Sequence, residues 1–153
     1  MTNSSPDETD CYTCRQEAAG EAAPRRERIF ASDYWRLVHS FNSALEGWLV
    51  LVPRRHVTAI AELTEGEAAE LGPLLRKVSK ALRDELGCSK TYVIQFAEAE
   101  GFEHVHFHVV ARPPDLPHEM RGPRVFHFLR QPESEWVTPE RQIELAEALA
   151  QRM

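Results

Sequence analysis

Apolar residues along this chain follow two periods, short alternating or unbroken runs that suit strands and a three-to-four-residue repeat that suits a helix. Arg28-Ile29-Phe30-Ala31 and Trp35-Arg36-Leu37-Val38-His39 are strand patterns, with Ser32 and Asp33 polar enough to turn between them, so a hairpin is expected. Trp48-Leu49-Val50-Leu51-Val52 is apolar throughout, follows Gly47 and stops at Pro53, as a central strand buried on both faces would. Thr64-Glu65-Gly66-Glu67 has capping-box spacing, and Leu71, Leu74, Leu75, Val78, Leu82 and Leu86 then repeat with helical period up to Gly87. Gly72-Pro73 sits inside that long helix and predicts a kink or break, because proline lacks an N–H and collides with the preceding turn. Residues 91–96 and 104–110 are two further strand patterns, joined by the acidic loop 97–101 as a hairpin. Beyond Pro113-Pro114 the pattern turns irregular until Thr138-Pro139-Glu140 supplies an N-cap, an N1 proline and an acidic first turn for a closing helix.

Strands with one helix interposed and one at the end do not alternate as βαβ units do, so the expected fold is α+β, a mainly antiparallel five-stranded sheet with helices on one side. Residues 1–25, rich in Ser, Asp, Glu, Ala and Arg, carry no sustained apolar period and are expected to be loose apart from what Cys11 and Cys14 anchor; residues 26–153 form one domain.

Composition narrows the function. At 153 residues, 42 % of them apolar, the chain builds one core and no second domain. A net charge of -6 argues against gripping nucleic acid or an anionic membrane by bulk electrostatics. No apolar run approaches the roughly 18 residues of a membrane span, and the first residues lack an export signal, so a cytoplasmic protein is expected. Three cysteines make a poor disulfide framework, and Cys11-Tyr-Thr-Cys14 suits a metal better.

The chemistry concentrates at His104-Val-His-Phe-His108. In an extended strand these three histidines share one face while Val105 and Phe107 take the other. A row of imidazoles suits phosphoryl chemistry, since a neutral imidazole can attack phosphorus while its neighbours carry protons or donate hydrogen bonds. The same row could be polar surface, or three ligands of a catalytic metal; periodicity does not separate these. Nothing marks out His39, His118 or His127, Trp35 and Trp48 read as core, Arg54 and Arg55 as a solvated strand end, and Cys88 as an ordinary small residue.

His104-Val-His-Phe-His-Val-Val110 resembles the His-x-His-x-His-x-x motif of the histidine triad (HIT) family, and Gly47-Trp-Leu-Val-Leu-Val-Pro-Arg-Arg-His56 is similar to that family's strand ending in Val-Pro-basic-basic-His. The likeness covers roughly residues 11 to 115. It implies a nucleotidyl hydrolase or transferase acting on a nucleoside phosphoramidate, dinucleoside polyphosphate or related nucleotide. His106 would form a covalent nucleotidyl intermediate at the α-phosphate; His108 would contact the phosphate and assist the leaving group. Gly101 and Ser40 would join His108 among the substrate contacts. Zinc-containing branches imply a structural zinc on Cys11, Cys14, His56 and His104, with no catalytic metal, and members commonly dimerise through the long helix and a sheet edge. The chain departs from the family where Glu98-Ala-Glu-Gly-Phe-Glu103 replaces a Gly-Gln-Ser-type loop, Ser40 an acidic residue, and Gly47-Trp48 a Gly-His pair. The alternative function is a zinc-stabilised nucleotide-binding module with weak turnover.

Overall fold

The computed structural model describes residues 10–153. Five strands, β1 (Phe30–Ala31), β2 (Trp35–His39), β3 (Trp48–Pro53), β4 (Lys90–Ile94) and β5 (Phe107–Arg112), form one antiparallel sheet in the order β1-β2-β3-β5-β4. The unbroken apolar strand β3 is central, as its pattern requires. Helix α1 spans Tyr12–Ala19, α2 Glu65–Leu86 and α3 Pro139–Ala150. No helix among the described residues is long and apolar enough to cross a membrane.

Strand alternation divides the apolar side chains between two cores. Trp35, Leu37, Leu49, Leu51, Phe107 and Val109 meet Leu74, Val78, Ala81 and Leu82 of α2 and Ala146 and Leu149 of α3. On the other face Trp48 and Val110 meet Val125, with Phe126, Phe128 and Leu129 packed around them. Those last residues belong to a 3₁₀ segment, Gly122–Leu129, and His127 is on its exposed side.

The local signals explain most boundaries. Thr64 and Glu67 close the capping box at both bonds, 3.0 and 3.1 Å, and Gly87 ends α2 in the left-handed conformation. Thr138 caps α3 and Pro139 opens it. The expected break at Pro73 is absent: α2 runs through it, with Ala69, Gly72 and Pro73 all on the exposed side, where water can satisfy the carbonyl that loses its donor.

Two further expectations are corrected. Residues 11–25 are not loose: α1 and two 3₁₀ turns, Gly20–Ala22 and Arg25–Glu27, order them. The cause is burial that composition hides, since Cys11, Thr13, Ala23 and Glu27 are all buried. The rest of the segment expected to be loose, residues 1–9, lies outside the described residues. The histidine strand is also shorter than its alternation, because β5 begins at Phe107. The β3–β5 register would bring Pro53 opposite Val105, but Pro53 has no N–H to offer and its carbonyl is taken by His104 Nε2 at 2.7 Å, so the ladder stops and the Val105 N–H bonds Val57 O at 2.8 Å.

Gly47 sets the turn into β3. Its φ is +78°, and an added Cβ would lie 2.6 Å from Leu86 Cδ1 and 2.8 Å from Ala111 Cβ. Its N–H donates to His39 Nε2 at 3.2 Å, and its carbonyl accepts from Ala111 N at 3.0 Å. Gly47→Ala should therefore cost about 2–4 kcal/mol through strain and overpacking together, measured as a lowered urea midpoint with unchanged slope.

Candidate functional site

The ends of β2, β3 and β5 open onto a cleft of about 360 Å³. Val38, Val50 and Val52 line its floor, and His106 and His108 face it. Phe41, Phe96, Phe102 and Phe126 supply most of the aromatic wall, joined by Tyr12 from α1. These aromatics are pocket walls as well as packing: Phe96 is 62 % exposed, and Tyr12, Phe41 and Phe102 contact one another with centroids 5.2–6.4 Å apart. Ala97, in the loop after β4, also lines the cleft and holds a φ of 56°, a conformation costing an alanine about 1 kcal/mol.

Each histidine of the triad has one partner that decides which nitrogen carries the proton. His104 is buried, and its Nε2 lies 2.7 Å from Pro53 O, which can only accept; Nε2 therefore holds the proton and Nδ1 the lone pair. His106 is the reverse. Its Nδ1 lies 2.8 Å from His104 O, so Nδ1 is protonated and Nε2 is left with a free lone pair. His108 Nδ1 accepts the indole N–H of Trp48 at 3.0 Å, which leaves its proton on Nε2. The rings of His106 and His108 stand edge to face, centroids 4.8 Å apart. Burial pushes His104 down to about 4 and His108 to about 3, and lowers His106 as well, so all three are neutral near pH 7.

The sequence-predicted residues separate into two groups. Cys11, Cys14, His56 and His104 come together, their ligand atoms all within 4.8 Å of one another. Cys14 Sγ is 3.2 Å from His56 Nδ1 and 3.5 Å from His104 Nδ1, and Cys11 Sγ is 3.5 Å from His104 Nδ1. Zinc bonds of ordinary length in a tetrahedron set ligand–ligand separations of roughly 3.3–3.8 Å, so this soft Cys2His2 set fits such an ion. Cys11 also caps α1, accepting Cys14 N–H at 3.4 Å. The second group is the cleft, with His106, His108 and Ser40, whose hydroxyl donates to Asn42 Oδ1 at 2.8 Å. Gly101 is not in the cleft wall; its carbonyl accepts Tyr12 N–H at 3.1 Å and ties the loop to α1.

Three features escaped the sequence. Trp48 is core, yet its N–H also holds His108; a buried indole needs a partner, and period-two counting sets it on the same face as Val50. Arg54 and Arg55 are paired, with Glu17 at 2.8 Å and with Glu67 at 2.9 Å, so they fasten the end of β3 to α1 and α2. His39, without motif context, is fully buried. Its Nδ1–H donates to Ser40 O at 2.8 Å while Nε2 accepts from Gly47.

The HIT domain family model matches residues 23–115, and the chain belongs to that family. It is 31 % identical over 72 residues to the adenosine 5'-monophosphoramidase hnt1 of Schizosaccharomyces pombe, a match covering 44 % of this chain and 50 % of that one, so the chain spans about half the length of this curated relative. Among solved structures it shares its fold with a zinc-bound histidine triad family protein from Mycobacterium smegmatis (20 % identity, TM-score 0.66, covering 94 % of this chain and 96 % of that one). A Hit-like protein from Bartonella henselae is similar again (15 % identity, TM-score 0.67, covering 90 % and 93 %).

The two bonds of His39 suit only the neutral ring, and burial lowers it from 6.5 to about 4. Between those values the unfolded chain takes up a proton that the folded chain refuses. The stability it contributes is complete above about pH 6.5 and is lost as pH falls toward 4, by up to about 3 kcal/mol for this group, with His108 acting in the same direction. Urea unfolding across that range should show the decline, and His39→Gln should flatten it.

Proposed function

We propose that this chain is a nucleotidyl hydrolase or transferase in which His106 attacks the α-phosphorus of a nucleotide conjugate and carries the nucleotidyl group covalently. The observation that carries this reading is the His106 tautomer: Nδ1–H is committed to a carbonyl, and Nε2 presents a lone pair at an aromatic-walled cleft. His108 offers its Nε2–H to a phosphate oxygen beside it, and the aromatic wall suits a base. Attack forms the Nε2–P bond as the bond to the leaving group breaks; water then adds to phosphorus, or another acceptor does, and His106 is regenerated.

Charge selects among the conjugates. Arg36 is the one Lys or Arg among the described residues lining the cleft, and it is buried and held by Glu17 at 2.9 Å, Glu27 at 3.0 Å and two carbonyls. Glu98 adds a carboxylate to the same lining. A polyphosphate would find no free cation there, whereas a phosphoramidate brings a single anionic phosphate. The phosphoramidase activity named for the Schizosaccharomyces pombe relative supports the same choice. The Glu98 carboxylate also favours the second reading, a binding module with weak turnover, and adduct trapping separates the two.

The Cys2His2 cluster we assign to a structural zinc, which when bound would cross-link α1 to the ends of β3 and β5; the zinc-bound relative supports this. The open edge of β4, where Val93 is 46 % exposed, supports a dimer formed through that edge and α2. A cytoplasmic location agrees with three cysteines that form no disulfide.

His106→Asn should keep the fold and bind nucleotide within about tenfold of wild type, while turnover falls by about 10³-fold or more. Labelled substrate quenched in base should leave label on wild-type His106 and none on the variant; turnover by the variant at the wild-type rate would remove the proposal. Zinc should measure about one per chain by elemental analysis, and Cys11→Ala with Cys14→Ala should release it and lower Tm. Full metal retention in that double variant would refute the assignment.

A further inference from the structure

Trp48 has no exposed surface, and its indole N–H is a donor with one partner, His108 Nδ1 at 3.0 Å. The two rings stand at 80° with centroids 5.7 Å apart. Phe126 closes the remaining side, 5.5 Å from each of them and at 90° to the imidazole. Three rings therefore fix one another edge to face, and the imidazole cannot turn over without breaking both contacts and the hydrogen bond.

We propose that Trp48 is a positioning residue that holds His108 as a neutral Nε2–H hydrogen-bond donor to the phosphoryl group and thereby removes it from general-acid duty. The functional half of this rests on the nucleotidyl-transfer reading above. A neutral imidazole that gave up its Nε2 proton would become an imidazolate, which neutral pH does not allow. To serve as an acid, His108 would first need a second proton on Nδ1, and the indole proton already points at that lone pair. Burial acts the same way and keeps the ring neutral down to about pH 3, with the neighbouring His106 opposing a second charge. The sequence resemblance had His108 assist the leaving group; here the ring can stabilise phosphoryl oxygens only.

The atoms then balance without an acid from the protein. The His106 Nε2 lone pair forms the bond to phosphorus while the leaving atom takes its proton from water, so that the leaving group, an amine in the case of a phosphoramidate, departs neutral with the electron pair of its own bond. In the second half a water molecule adds to phosphorus, the Nε2–P pair returns to His106, and the water's proton is released to solvent. His108 donates the same hydrogen bond throughout.

Long-range ¹H–¹⁵N NMR of the wild-type protein should show a pyridine-like Nδ1 and a pyrrole-like Nε2 for His108. Trp48→Phe keeps a ring in the cluster and deletes the proton, and should give a mixed or reversed tautomer. Val110→Ala loosens the same cluster without touching the bond and should leave the tautomer unchanged. In turnover of an adenosine 5'-phosphoramidate, His108→Gln replaces the donor with a less well placed N–H that has no acid capacity and should lose about tenfold in rate, whereas loss of a general acid costs about 10²–10⁴-fold. A pyrrole-like Nδ1 in the wild type, an unchanged tautomer in Trp48→Phe, or a loss of about 10³-fold in His108→Gln would each overturn the proposal. Should Trp48→Phe not fold, the wild-type spectrum and His108→Gln decide. If wild type turns over no nucleotide, the nucleotidyl-transfer reading falls, and the spectra alone decide what Trp48 does to His108.

Discussion

The pairing of β3 with β5 is the contact on which the site depends. Its register sets Trp48 opposite Val110, Val50 opposite His108 and Leu51 opposite Phe107. Because side chains alternate across a sheet, Leu49, Leu51, Phe107 and Val109 face the α2 core, while Trp48, Val50 and His108 take the opposite face, where Val50 and His108 line the cleft and Trp48 is buried behind them. A slip of one residue would exchange the two sets, burying His108 against the helices and turning Phe107 into the cleft. Large apolar side chains on the helix-facing side make that slip expensive, so the register of the reactive face is enforced from the opposite one. Pro53 then ends the ladder, and the chain from His104 to His106 is free to take its bonds elsewhere.

What it takes are bonds that sort the imidazoles by tautomer. Pro53 O turns the lone pair of His104 toward the cysteines, and His104 O turns the lone pair of His106 toward the cleft. One backbone segment thus orients the proposed metal ligand and the proposed nucleophile in series, because the peptide carrying the first ring supplies the acceptor for the second. Zinc bound through His104 would stiffen the carbonyl behind His106 without touching the reacting atoms. His108 stands outside that series, and its orientation comes from β3 through Trp48. Burial keeps the rings neutral, and only a neutral ring has tautomers to sort.

Much of this was legible in the chain. Period-two and period-3.6 patterns gave the sheet, the central strand and both later helices, because those elements bury a face and their caps are local. The histidine motif and the Cys-x-x-Cys were legible for a different reason: their spacing is itself the chemistry. The order of residues 11–25 was hidden because long-range partners supply it, namely Glu17 and Glu27 with Arg36 and Tyr12 with Glu27. His39 was hidden likewise, since its neutral ring is explained by Gly47 and Ser40 and by no motif. Gly101 was assigned from a family loop whose residues this chain lacks, and its carbonyl is directed at α1.

The buried charges beneath the cleft decide how it meets a phosphate. Arg36 is the cation a phosphate site would ordinarily use, yet Glu17, Glu27 and the carbonyls of Glu27 and Thr13 take four of its five N–H donors. Glu27 in turn accepts the Tyr12 hydroxyl at 2.6 Å, and burial, with the charge of Glu27 and that bond, pushes Tyr12 up to about 12, so the phenol stays protonated and adds no charge. Removing either partner of such a pair strands the other in low dielectric at a cost of about 3–5 kcal/mol, which makes the network a fixture and not a reserve of charge. It fastens α1 and the Arg25–Glu27 turn to β2, and so holds Tyr12 and Thr13 in the cleft wall. The cation is committed to building the wall. On the proposed function, a phosphate entering the cleft would be met by imidazole N–H and lone pair instead of by positive charge, and the preference proposed for one phosphate over several rests on that commitment.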